Sequence, residues 1–272
     1  MSHTHRVRSR KPAVVAASLT CAVVGALLVS SNANAAAPAV ELPPANAPFD
    51  YQIGQAYTPA ADVRVVSRDH TASPAAGLYN ICYVNAFQAQ PGAEDEWGDL
   101  LLRDAAGDVV YDPDWDEAFL DIRTDTKRRQ VAAKVNSWVD NCADKGFDAV
   151  EPDNLDSYTR TDLISEANAK AFVRLLADHA HAKGLAIGQK NTPALSTARS
   201  ATGLDFAVAE ECGEWKECGD YTEGFGDNVI VIEYKQKYFD ETCTKWGSRL
   251  SVVLRDVLVT APGDSGYVRK AC

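Results

Sequence analysis

VAAKVNSWVDNCADKGFDAVEPDNLD, residues 131–156, decides the fold. Val131, Val135, Trp138, Val139 and Cys142 recur at helical spacing, and Gly146 ends that run. A short apolar strand, Phe147 to Val150, follows at once, and Glu151, Asp153, Asn154 and Asp156 crowd its end. The cadence repeats downstream. Phe172, Leu175, Leu176 and His179 form a second helical stripe, Gly184 stops it, and Leu185 to Ile187 is the next strand. Helix, glycine and strand in repetition are what a parallel sheet with crossover helices needs.

Working outward, strand signals lie at Tyr51 to Ile53, Val63 to Val66, Leu78 to Val84, Phe119 to Ile122, Phe206 to Val208 and Val229 to Ile232. With the two above they make eight, which predicts a single-domain α/β fold, a (β/α)8 TIM-like barrel over residues 49–272. An open doubly wound sheet is the competitor, but no G-x-G-x-x-G follows the first strand. Leu250 to Leu254 is left over, as an added strand or a tail packing on the barrel.

The N-terminus reads differently. Arg6, Arg8, Arg10 and Lys11 precede an apolar run from Ala13 to Val29 and a small-x-small site, Ala33 to Ala35. That is the pattern of a secretory signal peptide over residues 1–35. Residues 36–48 are rich in Ala and Pro and read as an extended linker. The expected mature protein is exported, has no membrane anchor, and is a monomer. The leader holds four cations and no acid, so its removal takes the net charge from −11 to −15. Such acidity argues against nucleic acid as a partner, because phosphate binding needs clustered cations. It suits a cationic ligand, or solubility alone.

Six cysteines follow the leader: Cys82, Cys142, Cys212, Cys218, Cys243 and Cys272. An even count in an exported chain reads as disulfides, with 15 pairings open. Cys212 and Cys218 are close enough for a local loop, Cys243 with Cys272 would tie down the tail, and Cys82 with Cys142 is the remainder. No paired C-x-x-C supports a metal site, and His179 and His181, two apart on a helix, face different ways.

Polar residues gather where the strands end. Tyr51 and Gln52 mark the first, Asp69 the second, Tyr83 the third, and Asp121 and Arg123 the fourth. Glu151, Asp153, Asn154 and Asp156 follow the fifth, Lys190 and Asn191 the sixth, Glu210 and Glu211 the seventh, Glu233 and Tyr234 the eighth. In a parallel barrel these ends share one face, the face that carries active sites. Carboxylates converging in one cleft push their pKa values apart, the arrangement glycoside hydrolysis uses. Competing structural roles are a calcium loop or helix cap for the Glu151 to Asp156 cluster and a mutual ion pair for Asp121 and Arg123. No G-x-S-x-G elbow favours a serine esterase.

Four motifs in series carry a resemblance: GFDAVEPDNLD (146–156), GQKN (188–191), FAVAEEC through EC (206–218) and VIEY (231–234). Together they resemble glycoside hydrolase family 114, the endo-α-1,4-polygalactosaminidases. The resemblance implies a TIM-like barrel, hydrolysis of an α-1,4-linked galactosamine polymer and no cofactor. It assigns Asp153 and Glu210 as the catalytic acids, brings Lys190 and Asn191 to the cleft, and supports a Cys212–Cys218 pair. On this reading Asp69, Asp121, Asp156 and Glu233 bind ammonium groups of the sugar, and Tyr51, Tyr83 and Tyr234 offer flat surfaces to its rings. Gln52, Arg123, Glu151 and Asn154 complete the expected binding set. A sugar-binding barrel without catalysis, or a hydrolase of another α-linked sugar such as an α-galactoside, would share these motifs.

Overall fold

The computed structural model describes residues 40–272, so the expected signal peptide lies outside the described residues. Eleven strands are formed among them: β1 Phe49–Gln52, β2 Val65–Asp69, β3 Tyr79–Asn85, β4 Gln88–Ala89, β5 Ala118–Phe119, β6 Ala149–Asp153, β7 Ala186–Lys190, β8 Phe206–Glu210, β9 Val229–Glu233, β10 Ser251–Arg255 and β11 Arg269–Ala271. The helices are α1 Glu94–Trp97, α2 Asp125–Lys145, α3 Glu166–Ala182, α4 Arg199–Thr202, α5 Cys212–Trp215, α6 Cys218–Phe225 and α7 Gln236–Trp246. Nine strands form one sheet in the order β1-β2-β3-β6-β7-β8-β9-β10-β11. The first eight are parallel, and together they make a nearly closed barrel.

The long helices form where the pattern places them. Thr124 caps α2 by accepting from the Lys127 N–H, and Gly146 ends it at φ 87°, a left-handed conformation that costs glycine little. Val131, Val135, Val139 and Cys142 face the barrel, each buried valine contributing roughly 1.5–3 kcal/mol. Ser165 and Asn168 close a reciprocal capping box on α3. Alternation along the strands divides the core in two. Phe49, Val65, Tyr79, Ile81, Ala149, Ala186, Phe206, Val208, Ile230 and Ile232 fill the barrel interior, while their neighbours meet the helices outside. Gly188 makes room inside: a Cβ there would lie 2.8 Å from the Phe206 ring.

Eight strands line the barrel, but their membership differs from the sequence reading. Phe119 to Ile122 is not a barrel strand. Ala118 and Phe119 pair antiparallel with β4, and Leu120 bridges Leu101, all inside a long excursion between β3 and α2. Leu120 and Ile122 are apolar because they are buried beneath that excursion. The leftover run, Leu250 to Leu254, supplies the eighth strand, β10. Residues 40–48, expected as a linker, carry no regular secondary structure but lie against the barrel: Val40 and Leu42 pack on its interior, and Ser251 Oγ accepts from the Ala47 N–H.

β10 pairs with β11, antiparallel, and no backbone ladder joins it to β1. Side chains close that seam. Arg255 lies 3.2 Å from Asp50, both side chains fully buried, and the Arg269 guanidinium donates to the Phe49 carbonyl. Disulfides join Cys82 to Cys142, Cys212 to Cys218 and Cys243 to Cys272. These are the pairings favoured from spacing, and they tie β3 to α2, close the loop after β8, and fasten the tail to α7.

Candidate active site

Inward-facing side chains of four strands, β1, β6, β7 and β8, meet at one nitrogen. The Lys190 ammonium on β7 lies 3.2 Å from Asp153 Oδ1, 3.0 Å from Glu210 Oε2 and 3.7 Å from Glu151 Oε1, and donates to Tyr51 Oη at 3.0 Å. Tyr51 in turn donates to Glu151 Oε1 at 3.0 Å, and Ser67 to Glu151 Oε2 at 2.6 Å. Tyr83 and the Asn154 N–H each donate to Asp153 at 2.8 Å. Asn191 holds Glu210 twice, donating to Oε2 and accepting the Glu210 N–H, both at 2.9 Å, while the Tyr234 hydroxyl donates to Oε1.

Local backbone explains how this convergence is reached. Asn154, Asn191 and Glu211 have φ of 64°, 48° and 56°, and each directly follows a converging residue, Asp153, Lys190 or Glu210. Left-handed residues turn the chain sharply off each strand; asparagine adopts that conformation most readily of the side-chain-bearing residues, and glutamate at a cost of order 1 kcal/mol. The β6–β7 ladder stops at Val150 opposite Ile187, ahead of Pro152, which has no N–H to donate.

The electrostatics follow from burial and from this single cation. Burial alone favours neutral Lys190, but Asp153, Glu210, Tyr51 and Glu151 outweigh it and hold the ammonium well above the usual lysine range. Burial likewise favours neutral Asp153. The Lys190 charge and the hydrogen bonds from Tyr83, Asn154 and Lys190 overcome it and keep that carboxyl below its ordinary value. Glu151 is different: burial dominates, and its carboxyl is pushed up to about 7 despite Lys190 and Ser67. One mouth therefore holds an acid biased toward the carboxylate and another biased toward the neutral form.

The sequence profile of glycoside hydrolase family GH114 matches residues 29–272. The chain belongs to glycoside hydrolase family GH114. Among solved structures it is similar to Ega3 of Aspergillus fumigatus in complex with galactosamine, at 21% identity and a TM-score of 0.68 over 86% of this chain and 98% of that one. It is also similar to the glycoside hydrolase domain of PelA from Pseudomonas aeruginosa, at 14% identity and a TM-score of 0.53 over 80% and 97% of the two chains. Both are likenesses of fold. A search of curated protein sequences finds no match.

Not every expected residue of this GH114 chain reaches the mouth. Gln52 faces the other way, donating to Asp50 and accepting from Arg68, because only Tyr51 of that pair points inward. Glu233 also points outward; its Oε1 accepts the Gly213 N–H at 2.8 Å, and Tyr234 takes the inward position. Asp69 accepts the Thr71 N–H in its own turn, and Asp121 pairs with Arg123 at 2.9 Å. That last placement follows from the misread fourth strand. Asn154 and Asp156 lie at the rim, both bound by Arg160. Sequence reasoning missed Ser67 and Glu117. Ser67 shares a face with Val65, so a longer β2 reveals it by alternation. Glu117 sits in the excursion after β3, where no periodic signal marks it, and accepts from Asn85 at 2.8 Å.

Proposed function

We propose that this GH114 glycoside hydrolase is an exported enzyme that cleaves α-1,4-linked galactosamine-containing polysaccharide with retention of configuration. One observation carries the reading: a single ammonium touches Asp153 at 3.2 Å and Glu210 at 3.0 Å. Laid end to end, those distances keep the two nearest carboxyl oxygens within about 6 Å. Retaining enzymes separate their carboxyls by about 5–5.5 Å and inverting ones by about 6.5–9.5 Å. Export is supported by the leader pattern and by three disulfides, which persist in oxidising compartments.

In this mechanism Asp153, ionised, attacks the anomeric carbon as the bond to the leaving oxygen breaks. Glu210 acts as the general acid and delivers a proton to that oxygen. The negative charge thereby passes from Asp153, now an ester, to Glu210. Lys190 is already within 3.2 Å of both and stays paired throughout without moving. Glu210 then takes a proton from water, which attacks the same carbon and releases Asp153. The substrate assignment rests on the acidic chain, on the family, and on the galactosamine held by the similar Ega3 structure. Purified protein is incubated with partly deacetylated α-1,4-galactosaminoglycan, products are read by mass, and the anomer formed first by NMR. New amino-sugar reducing ends of α configuration are expected, lost at least about 100-fold in Asp153→Asn and Glu210→Gln. Absence of new ends, neutral sugar products or a β anomer would refute the corresponding part.

A further inference from the structure

The carboxylates at the mouth are not equal in what they already hold. Asp153, Glu210 and Glu151 share Lys190. Asp156 and Asp112 are each paired with Arg160, at 2.8 and 3.0 Å. Glu117 has no cation within 4.0 Å among the described residues. It is half-buried, and its one side-chain hydrogen bond is from Asn85 at 2.8 Å. Asn85 lies opposite Asp153 in the β3–β6 register and also accepts from Asn154, the residue after Asp153. Glu117 therefore stands one side-chain layer from the carboxylate that meets the anomeric carbon.

Its position is built rather than incidental. The turn that carries it is closed by backbone bonds from the Asp112 N–H to the Glu117 carbonyl, 2.8 Å, and from the Asp116 N–H to the Asp112 carbonyl, 3.0 Å. Asp112, whose side chain is fully buried, anchors the turn to Arg160 and accepts from Gln88 at 2.7 Å. Burial raises the Glu117 carboxyl, with the charges of Asp153 and Asp112 adding to it, while Asn85 and the more distant Arg160 pull it down. A carboxylate held in place beside other negative charge, without a cation of its own, is completed by a cationic ligand.

We propose that Glu117 is a specificity-determining residue that receives the ammonium group of a galactosamine unit next to the scissile bond, so that the enzyme favours deacetylated over N-acetylated units. The 2-amino group adjoins the anomeric carbon, which puts it within reach of a carboxylate flanking Asp153. An ammonium forms a charge-assisted bond with Glu117; an acetamide leaves that carboxylate unpaired. The proposal rests on the galactosamine reading above, and binding separates the two.

The test measures binding by calorimetry and hydrolysis by reducing-end release, for fully deacetylated and fully N-acetylated α-1,4 oligomers of equal length. Wild type, Glu117→Gln and Glu117→Asp are compared, with thermal unfolding as a check on folding. Glu117→Gln is expected to weaken binding of the deacetylated oligomer about 5- to 20-fold, to leave the acetylated one within about two-fold, and to flatten the salt dependence of the first. Glu117→Asp, which keeps the charge, recovers part of the loss. Equal weakening for both oligomers, or none for either, overturns the proposal. Hydrolysis of neither oligomer by wild type, with the selective binding loss intact, refutes the hydrolase reading and leaves Glu117 as the ammonium site.

Discussion

Replacing Lys190 by Met tests the electrostatic claim, since the side chains are similar in volume and what is lost is the ammonium with the hydrogen bonds it donates to Tyr51 and Asp153. In the parent, Lys190 is the one cation within 4.0 Å of Glu151, Asp153 and Glu210 among the described residues. A unit charge about 3 Å away at an effective dielectric of about 20 amounts to roughly 5 kcal/mol before the desolvation of the lysine is set against it. Carboxyls beside an opposite charge shift by about 1–3 units, so Asp153 should rise by that much in Lys190→Met, while Tyr83 and the Asn154 N–H still hold it. Two readouts follow. The acid limb of the kcat/KM profile should move up by about 1–3 units. Stability, from urea unfolding, should fall by about 3–5 kcal/mol at pH 8 and by much less at pH 4. The sign follows from proton binding. Asp153 in the parent has a depressed pKa, so its contribution is present above the unfolded value and lost as pH falls. In the variant the carboxyls are raised and penalise the fold only where the unfolded chain is ionised. An unmoved acid limb together with a stability deficit that is the same at both pH values would refute the reasoning.

Other parts of the fold make their own predictions. Arg255→Met should cost up to about 3–5 kcal/mol in urea unfolding because it leaves buried Asp50 with only the longer 3.6 Å contact to Arg269 as an ion pair, and Asp50→Asn in the same chain should restore part of it; no restoration would show that the seam is not closed by charge. Replacing Cys82 and Cys142 by Ala opens a link across 60 residues, worth about 4 kcal/mol by loop entropy, and a midpoint shift equivalent to under 1 kcal/mol would count against that origin. Glu233, raised to about 7 mainly by burial, favours the fold below its unfolded value near 4.5, and that contribution is lost as pH rises through 7. Glu233→Gln should therefore flatten the fall in thermal midpoint between pH 5 and 8, and an unchanged slope would assign that fall to another group.

Local sequence determined the units of this protein. Helical stripes ended by Gly146 and Gly184 announce crossover helices, and the acids after Val150 and Ala209 announce the rim, because periodicity and turn chemistry are properties of adjacent residues. Cysteine spacing points first to Cys212–Cys218 and leaves 15 pairings open; the structure forms that pair together with Cys243–Cys272 and Cys82–Cys142. Tertiary structure decided which apolar run joins the barrel. Leu250 to Leu254 and Phe119 to Ile122 are both largely apolar, but only the first lies beside a barrel strand, β9, while Phe119 pairs with β4. It also decided parity. A side chain on a strand changes face with each residue, so Gln52 and Glu233 turned outward while Tyr51 and Tyr234 beside them turned in. Above all it brought one ammonium among three carboxylates on β6 and β8, a meeting set by the stagger of strands far apart in the chain and legible in no single segment.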